Sequence, residues 1–282
     1  MKLSVRFSLM LSAALALPTS LPAADFGPGA DRFRIAAGWF PSNFDTTVRV
    51  DNKKINIGDE INLERDLGLD DTSNAFYGAF LWRFKKRHRL SVSYYDFSRK
   101  NSAKAKRELE IGDTIVPAGA KIETEFDLEV FPIAYQYSFV QSEKIEFSGN
   151  IGLHWTNVGF GIEGKGFIGE EDVREFDEKA DAKASAPLPL LGLGFDYWFT
   201  PRWLAKADGQ YFYLSLSDDV FDYSGSLSNL RIATEYVPYR GLGLGVAVNW
   251  FKMDVDVEDP DWYGRLEYEY WGPQLYLSYR FR

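Results

Sequence analysis

The chain of 282 residues contains no cysteine, which excludes a disulfide framework, thiolate metal sites and a lipid-accepting cysteine. It has only two histidines. Its formal net charge of −9 makes it a poor partner for the phosphate backbone of nucleic acid. Helical spacing is scarce, and no apolar run reaches the about 20 residues that a membrane-spanning helix needs.

The first 24 residues are typical of a secretory signal peptide. Two basic residues precede an apolar stretch, Phe7 to Leu17, and small residues follow near Ala24. This order of basic, apolar and small residues is that of an exported precursor. We therefore expect a signal peptide at 1–24 and one domain at 25–282.

Ten later segments alternate large apolar side chains with small or polar ones. A period of two residues is that of a β-strand whose faces meet different environments. The segments lie at 33–40, 76–84, 90–94, 131–139, 145–155, 191–199, 203–213, 230–236, 242–250 and 275–281.

The connections between these segments alternate in length. Tight ones lie at 85–88, 140–144, 200–203 and 238–241, and long polar ones at 51–72, 100–121, 165–186, 217–225 and 258–264. Short turns at one end and long loops at the other are typical of a transmembrane β-barrel with an even number of strands. The pattern predicts an all-β fold: a closed antiparallel transmembrane barrel of ten strands, with short periplasmic turns and long extracellular loops.

A soluble exported β-sandwich or a lipocalin-like barrel would also show alternation. Such a barrel would have to enclose the bulky face, although barrels of about eight strands have room only for modest side chains. Aromatic residues also gather near segment ends, as two membrane-interface girdles require. We assign to these girdles Trp39, Phe40, Trp82, Phe84, Phe139, Trp198, Phe199, Trp203, Trp250, Trp271 and Phe281. We therefore expect the bulky face to contact lipid.

The last residues, PQLYLSYRFR, resemble the C-terminal signature of Gram-negative outer-membrane β-barrel proteins, although Arg282 here follows the aromatic Phe281. The resemblance also covers the signal and the strand and turn pattern. It implies a place in the outer membrane, contact with its lipid and lipopolysaccharide, and recognition of the last strand by the barrel-assembly machinery. The stretches Ile61–Asp71 and Arg83–Arg99 resemble a motif of small exported barrels of proteobacteria, which implies no particular activity.

The apolar parity changes within three segments, after Val130, after Trp250 and after Tyr270. One account is a β-bulge. The account we favour is that the strand has left the membrane, so that the side on which an apolar residue lies is no longer constrained by lipid. In the loop 51–72, apolar residues such as Leu63 and Leu67 predict either a loop folded over the barrel mouth or a simply ordered loop.

The polar face predicts a lumen that contains charges of both signs, which can pair there instead of lying buried alone. The predicted lumen residues are Arg34, Arg83, Glu146, Asn150, His154, Asp196, Lys206, Asp208, Gln210, Arg231, Glu235 and Arg280. Such a network favours a side-chain-plugged barrel with a structural or surface-interaction role. The alternative is a narrow polar pathway for small solutes, since ten strands are too few for a general diffusion pore.

Enzyme motifs are weak in this sequence. His154 and Thr156 distantly resemble the His-x-Ser-Asn arrangement of outer-membrane lipid hydrolases, but Thr replaces Ser and the pair faces inward. His88 lies in a basic turn, and the chain has no Asp-x-His couple of the outer-membrane aspartyl-type proteases. The acidic stretch 169–181 lacks the ligand order of a Ca²⁺ loop, and the glycines of 161–170 lack a phosphate-loop context. We predict no catalytic, cofactor-binding or metal-binding residue.

Overall fold

The computed structural model describes residues 29–52, 60–104, 106, 108–111, 114–116, 118–165, 179–217, 222–258 and 262–281. The expected signal peptide and most of the acidic stretch 169–181 lie outside these residues. In the part of the chain that is described, no helix has the length and hydropathy to span a membrane.

The described residues form ten long strands and three short ones. The long strands are β1 (Phe33–Asn52), β3 (Thr72–Lys85), β4 (His88–Lys104), β7 (Lys121–Gln141), β8 (Ile145–Lys165), β9 (Lys179–Thr200), β10 (Trp203–Ser217), β11 (Asp222–Tyr239), β12 (Leu242–Glu258) and β13 (Trp262–Phe281). The short strands are β2 (Ile61–Asn62), β5 (Leu109–Ile111) and β6 (Thr114–Val116).

The long strands form one closed antiparallel barrel. Each long strand pairs with the next one along the chain. Strand β13 also pairs with β1, from Phe33 opposite Phe281 to Asn52 opposite Trp262. Closure matters in a membrane because lipid cannot satisfy the N–H and C=O groups of an open sheet edge. The prediction of a closed ten-stranded antiparallel barrel is confirmed.

The tight turns occupy residues 86–87, 142–144, 201–202 and 240–241, as the sequence predicted. At the other end the strands are longer than expected: β4 continues to Lys104 and β9 begins at Lys179. The predicted loops 100–121 and 165–186 are therefore partly strand. Backbone pairing continues beyond the apolar segments, between β4 and β7 up to Lys104 opposite Lys121 and between β8 and β9 up to Glu163 opposite Lys179.

A belt of large apolar side chains surrounds the turn-side half of the barrel. Ile151, Leu193 and Leu277 are 57%, 54% and 55% exposed, respectively. In water such a belt would exceed the apolar patches that soluble monomers expose, so the bulky face contacts hydrocarbon. Two girdle assignments are wrong: Phe40 and Trp198 point into the barrel and are buried, because the pleat turns each of them away from its outward neighbours Trp39 and Phe199.

The polarity of the two faces reverses on the loop side of the barrel. On β7, Val130 is 0% exposed and Phe131 is 40% exposed, and the pairing with β8 passes through both without a shift. A bulge at this point is therefore wrong. Beyond the reversal, apolar residues such as Leu128 face inward and acidic residues such as Glu129 face outward. The two faces of the strand therefore still differ in polarity, but the inward face is now the apolar one.

The same reversal occurs at Phe251 on β12 and at Tyr270 on β13, both of which are buried. We call the part of the barrel beyond the reversal the extension; it includes residues 121–130, 251–258 and 262–270. Water, rather than lipid, is the solvent that an apolar interior and a charged exterior require. Each of these strands thus passes from the membrane into water without changing its pairing register.

Candidate functional site: the barrel interior

Aromatic side chains fill the interior at the base of the extension. Phe97 and Tyr270 have ring centroids 5.0 Å apart, and so have Phe251 and Tyr270. Phe40 contacts Phe97, Tyr95 and Tyr270 at 5.8–6.1 Å. We call this group the aromatic plug; its members, all buried, are Phe40, Phe44, Tyr95, Phe97, Phe251, Tyr268 and Tyr270.

The segment 60–71 folds into the mouth of the extension. Leu63, Leu67 and Leu69 are at most 3% exposed and belong to the same apolar cluster as the aromatic plug. Strand β2 pairs with β1, and the Leu63 amide donates a 2.9 Å hydrogen bond to the Thr46 carbonyl. Of the two readings that the sequence left open, the structure shows the loop folded over the barrel mouth.

Arg99 fastens this segment to the barrel wall. Its guanidinium forms an ion pair with Glu64 and donates a 2.8 Å hydrogen bond to Thr46 Oγ1. It also lies 4.3 Å from the ring centroid of Phe44 and 4.8 Å from that of Phe126. Burial lowers the pKa of the Arg99 guanidinium from its ordinary value, and the carboxylate of Glu64 opposes this shift.

Ion pairs close the membrane half of the interior near the periplasmic end. Arg83 Nη1 and Nη2 donate to the two carboxylate oxygens of Glu146 at 2.8 and 2.9 Å. Ser138 also donates to Glu146, and Arg89 Nη1 lies 3.5 Å from it. All four side chains are at most 6% exposed. The buried carboxylate of Glu146 is therefore satisfied by several donors.

Two further clusters continue the network around the lumen. Asp196 lies 3.6 Å from Arg89 Nη1 and 3.1 Å from Lys206 Nζ. Glu235 accepts a hydrogen bond from Ser278, and its Oε1 lies 2.7 Å from Arg280 Nη2.

A cavity of about 130 Å³ lies between these ion pairs and the aromatic plug. Its lining includes eight of the predicted lumen residues: Arg34, His154, Asp196, Lys206, Asp208, Gln210, Arg231 and Glu235. Arg231 Nε donates to Gln274 Oε1 at 3.0 Å, and its guanidinium lies 5.1 Å from the ring centroid of Tyr276. The structure therefore places the charged residues of the sequence prediction in the barrel interior, in several neighbouring clusters, with Asn150 buried on β8.

His154 lies inside the barrel, where it cannot reach lipid. Its side chain is 2% exposed and its ring stacks on Phe251 at 4.9 Å. Nδ1 is 3.0 Å from Thr156 Oγ1, which is a base-to-hydroxyl contact, but both side chains are buried inside the barrel. The other histidine, His88, lies at the periplasmic end with Nδ1 2.6 Å from the Tyr135 hydroxyl. Across the described ranges, no cluster of three or more acidic or histidine residues could hold a metal ion.

The aromatic plug is the part of the interior that sequence reasoning missed. The signal was present in the parity changes after Val130, Trp250 and Tyr270. The sequence alone does not show that residues of β1, β4, β12 and β13 converge on one level, so the favoured account of strands that leave the membrane and lose their facing is wrong for these segments.

No family model and no curated protein matches this sequence. Among solved structures, the outer membrane protease OmpT from Escherichia coli is similar, with a TM-score of 0.54 and 11% identity over 88% of this chain and 97% of that chain. Ail, the attachment invasion locus protein of Yersinia pestis, aligns at a TM-score of 0.32 with 10% identity over 87% of this chain and 98% of that chain. OprG from Pseudomonas aeruginosa aligns at a TM-score of 0.33 with 14% identity over 87% and 97%. The likeness to OmpT shows a shared barrel fold.

Proposed function

We propose that this outer-membrane β-barrel protein is a sealed anchor with a structural or surface-interaction role, which holds the folded extension above the membrane. The observation that carries the proposal is the aromatic plug, in which Phe40 and Tyr268 are 0% exposed. Leu128 and Ile122, also 0% exposed, continue the apolar interior outward. Packing of this kind supports an interior without a continuous path for water or solutes.

The ion pairs near the periplasmic end support the same proposal. Arg83, Glu146 and Arg280 are at most 6% exposed, so charged side chains occupy the lumen below the cavity. Charges that are paired inside a low-dielectric interior cost several kcal/mol to separate. The polar cavity thus lies between a charged layer and an aromatic one.

The placement of the histidines supports a role without catalysis. The protease activity in the name of OmpT belongs to that protein, and an identity of 11% carries no activity over to this chain. His88 lies at the periplasmic end and His154 in the interior, so neither side chain reaches the outer mouth. A hydrolase that used His154 and Thr156 would need substrate to pass the aromatic plug.

The expected partners follow from the two environments of the barrel surface, which are lipid around the turn-side half and water around the extension. Outward residues such as Leu275 and Leu277 favour contact with outer-membrane lipid, and the extension stands at the level of lipopolysaccharide. Strand β13 closes the barrel on β1, which supports its recognition by the assembly machinery. The acidic exterior of the extension, with Glu123 and Asp127 on β7, is the surface offered to partners outside the cell.

Single-channel recording in planar bilayers tests the sealed barrel. We expect no discrete conductance from the wild-type protein. Tyr270→Ala shortens a plug side chain that contacts Phe97 and Phe251, and together with Phe251→Ala it should produce openings. Trp271→Ala is the matched control, because Trp271 is the next residue but is 52% exposed on the outside.

Discrete conductance from the wild-type protein would overturn the proposal. If Lys206→Glu or Arg231→Glu then altered that conductance, the cavity would be part of a narrow pathway for small solutes. The polar cavity lining is the specific observation that favours this second function.

A further inference from the structure

Exposed basic side chains surround the end of the barrel that carries the tight turns. Each of the four tight turns contributes at least one, and Arg32 adds another beside the junction of β1 and β13, where its amide donates to the Phe281 carbonyl. We call this group the basic rim; its members are Arg32, Lys85, Lys86, Arg87, Lys144, Arg202 and Arg240.

The charges of the basic rim are not neutralised locally. Within the described residues, none of the seven lies within 4.0 Å of a carboxylate oxygen. Glu143 is the single exposed acidic residue of the described turns. Asp31 is turned toward the lumen, where it lies 3.8 Å from Arg83. The rim therefore presents seven positive charges against one exposed negative charge.

The basic rim contrasts with the rest of the molecule. The whole chain has a net charge of −9, and the outward face of β7 at the opposite end carries Glu123, Glu125, Asp127 and Glu129. The turn end thus carries a net positive charge on an acidic protein, whereas basic residues at the opposite end, such as Lys100 and Lys121, lie beside the carboxylates of Glu125 and Glu123. A general preference for basic residues does not explain this distribution.

Aromatic side chains place the basic rim at the level of lipid headgroups. Just above the turns, Phe139 and Phe147 have ring centroids 4.8 Å apart, and Tyr279 and Phe281 have centroids 4.7 Å apart. Aromatic girdles lie at the membrane–water interface. Lysine and arginine side chains immediately beyond the girdle are within reach of phosphate groups on that side of the membrane.

We propose that the basic rim binds the phosphate groups of anionic phospholipids in the periplasmic leaflet. It thereby collects a shell of these lipids around the turn end of the barrel. This inference goes beyond the sealed anchor and holds whether or not the barrel conducts ions. An acidic exterior at one end and a phosphate-binding rim at the other would also favour one orientation of the barrel in the membrane.

Lipid selectivity in reconstituted bilayers tests the proposal. The full-length mature protein is placed in phosphatidylcholine vesicles that contain spin-labelled phosphatidylglycerol or spin-labelled phosphatidylcholine, and the motionally restricted fraction of each is compared. One lysine or arginine side chain near an anionic lipid surface strengthens binding to that surface by up to about five-fold. We therefore expect a several-fold preference for phosphatidylglycerol over phosphatidylcholine. The preference should fall as salt is raised, since the rim is exposed.

A charge-matched pair of variants locates the effect. The rim variant Lys86→Gln, Arg87→Gln and Arg202→Gln removes three charges from the periplasmic end. The control Lys100→Gln, Lys104→Gln and Lys121→Gln removes three from the extension. We expect the rim variant to lose at least half of the preference and the control to retain it.

Equal selectivity in the wild-type protein and the rim variant would overturn the proposal. So would the absence of any preference, including a result in which the protein instead binds peptidoglycan fragments. If the triple rim variant does not fold, Lys86→Gln and Arg202→Gln are measured singly, and each should reduce the preference. Conductance recorded from the same vesicles reports on the sealed barrel separately.

Discussion

Arg83 and Glu146, which are 63 residues apart in the chain, form a bidentate ion pair inside the barrel at 2.8 and 2.9 Å. The two residues belong to β3 and β8, which are not neighbours in the sheet. The pair therefore links distant parts of the barrel wall through the interior. It also pairs two opposite charges that are buried inside a barrel whose outer surface faces lipid.

We expect Glu146→Gln to destabilise the barrel by about 3 kcal/mol, because breaking one partner of a buried pair leaves the other charge uncompensated. Arg83 and Arg89 would both lose their shared carboxylate. Urea unfolding in lipid vesicles measures the difference. Glu129→Gln, which removes an exposed carboxylate from β7, should leave stability nearly unchanged, and equal losses in the two variants would contradict the prediction.

We expect Arg99→Met to release the segment 60–71 from the barrel mouth. The substitution keeps an apolar stem but removes the ion pair to Glu64 and the hydrogen bond to Thr46. Hydrogen bonds to charged groups contribute about 1.5–3 kcal/mol each, so the amides of Leu63 and Leu69 should exchange hydrogen at least about tenfold faster. The neighbouring exposed change Lys100→Met is the control. Unchanged exchange in Arg99→Met would show that the leucines alone hold the segment.

We expect Gly38→Ala to impair closure of the barrel. A Cβ at Gly38 would lie 2.2 Å from the Leu275 carbonyl oxygen and 2.7 Å from Tyr276 Cβ, at the seam of β1 and β13. Overpacking of this kind costs about 1–3 kcal/mol, and the folded fraction can be read from heat-modifiable gel migration. At Gly209 a Cβ would meet nothing within 4 Å, so Gly209→Ala should fold normally.

We expect cysteine labelling along β7 to locate the change of solvent. The natural chain has no cysteine, so each introduced thiol is unique. Ile133→Cys should be accessible to a lipid-soluble probe, Asp127→Cys to a water-soluble probe, and Leu128→Cys to neither. Labelling of Leu128→Cys from water would contradict an apolar interior in the extension.

The lipid-facing half of the fold could be predicted from the sequence because its signals are local. Leu275 and Leu277 alternate with polar neighbours at the period of a strand, and turns such as 240–241 are short and bounded by two such strands. Phe131 to Phe139 alternate in the same way. Each of these patterns is complete within about ten residues.

The interior could not be predicted to the same depth because it depends on what converges from distant strands. Phe40 follows Trp39 and looks like a girdle residue, but it packs on Phe97 and Tyr270. The extent of β9 was missed because its first residues have no bulky outward set. Their pairing with β8 is set by register rather than by local pattern.

The reversal of polarity between the two faces of β7 also determines the hydrophobic thickness of the bilayer that matches the protein. The stretch from Phe131 to Phe139 spans nine residues, of which every second one presents a bulky side chain to lipid, and a strand of this length tilted by about 40° covers roughly 23 Å of membrane. A bilayer with longer acyl chains would bring hydrocarbon against Glu129 and Asp127. The protein should therefore thin such a bilayer around itself or partition into thinner regions, at a cost that grows with each ångström of mismatch.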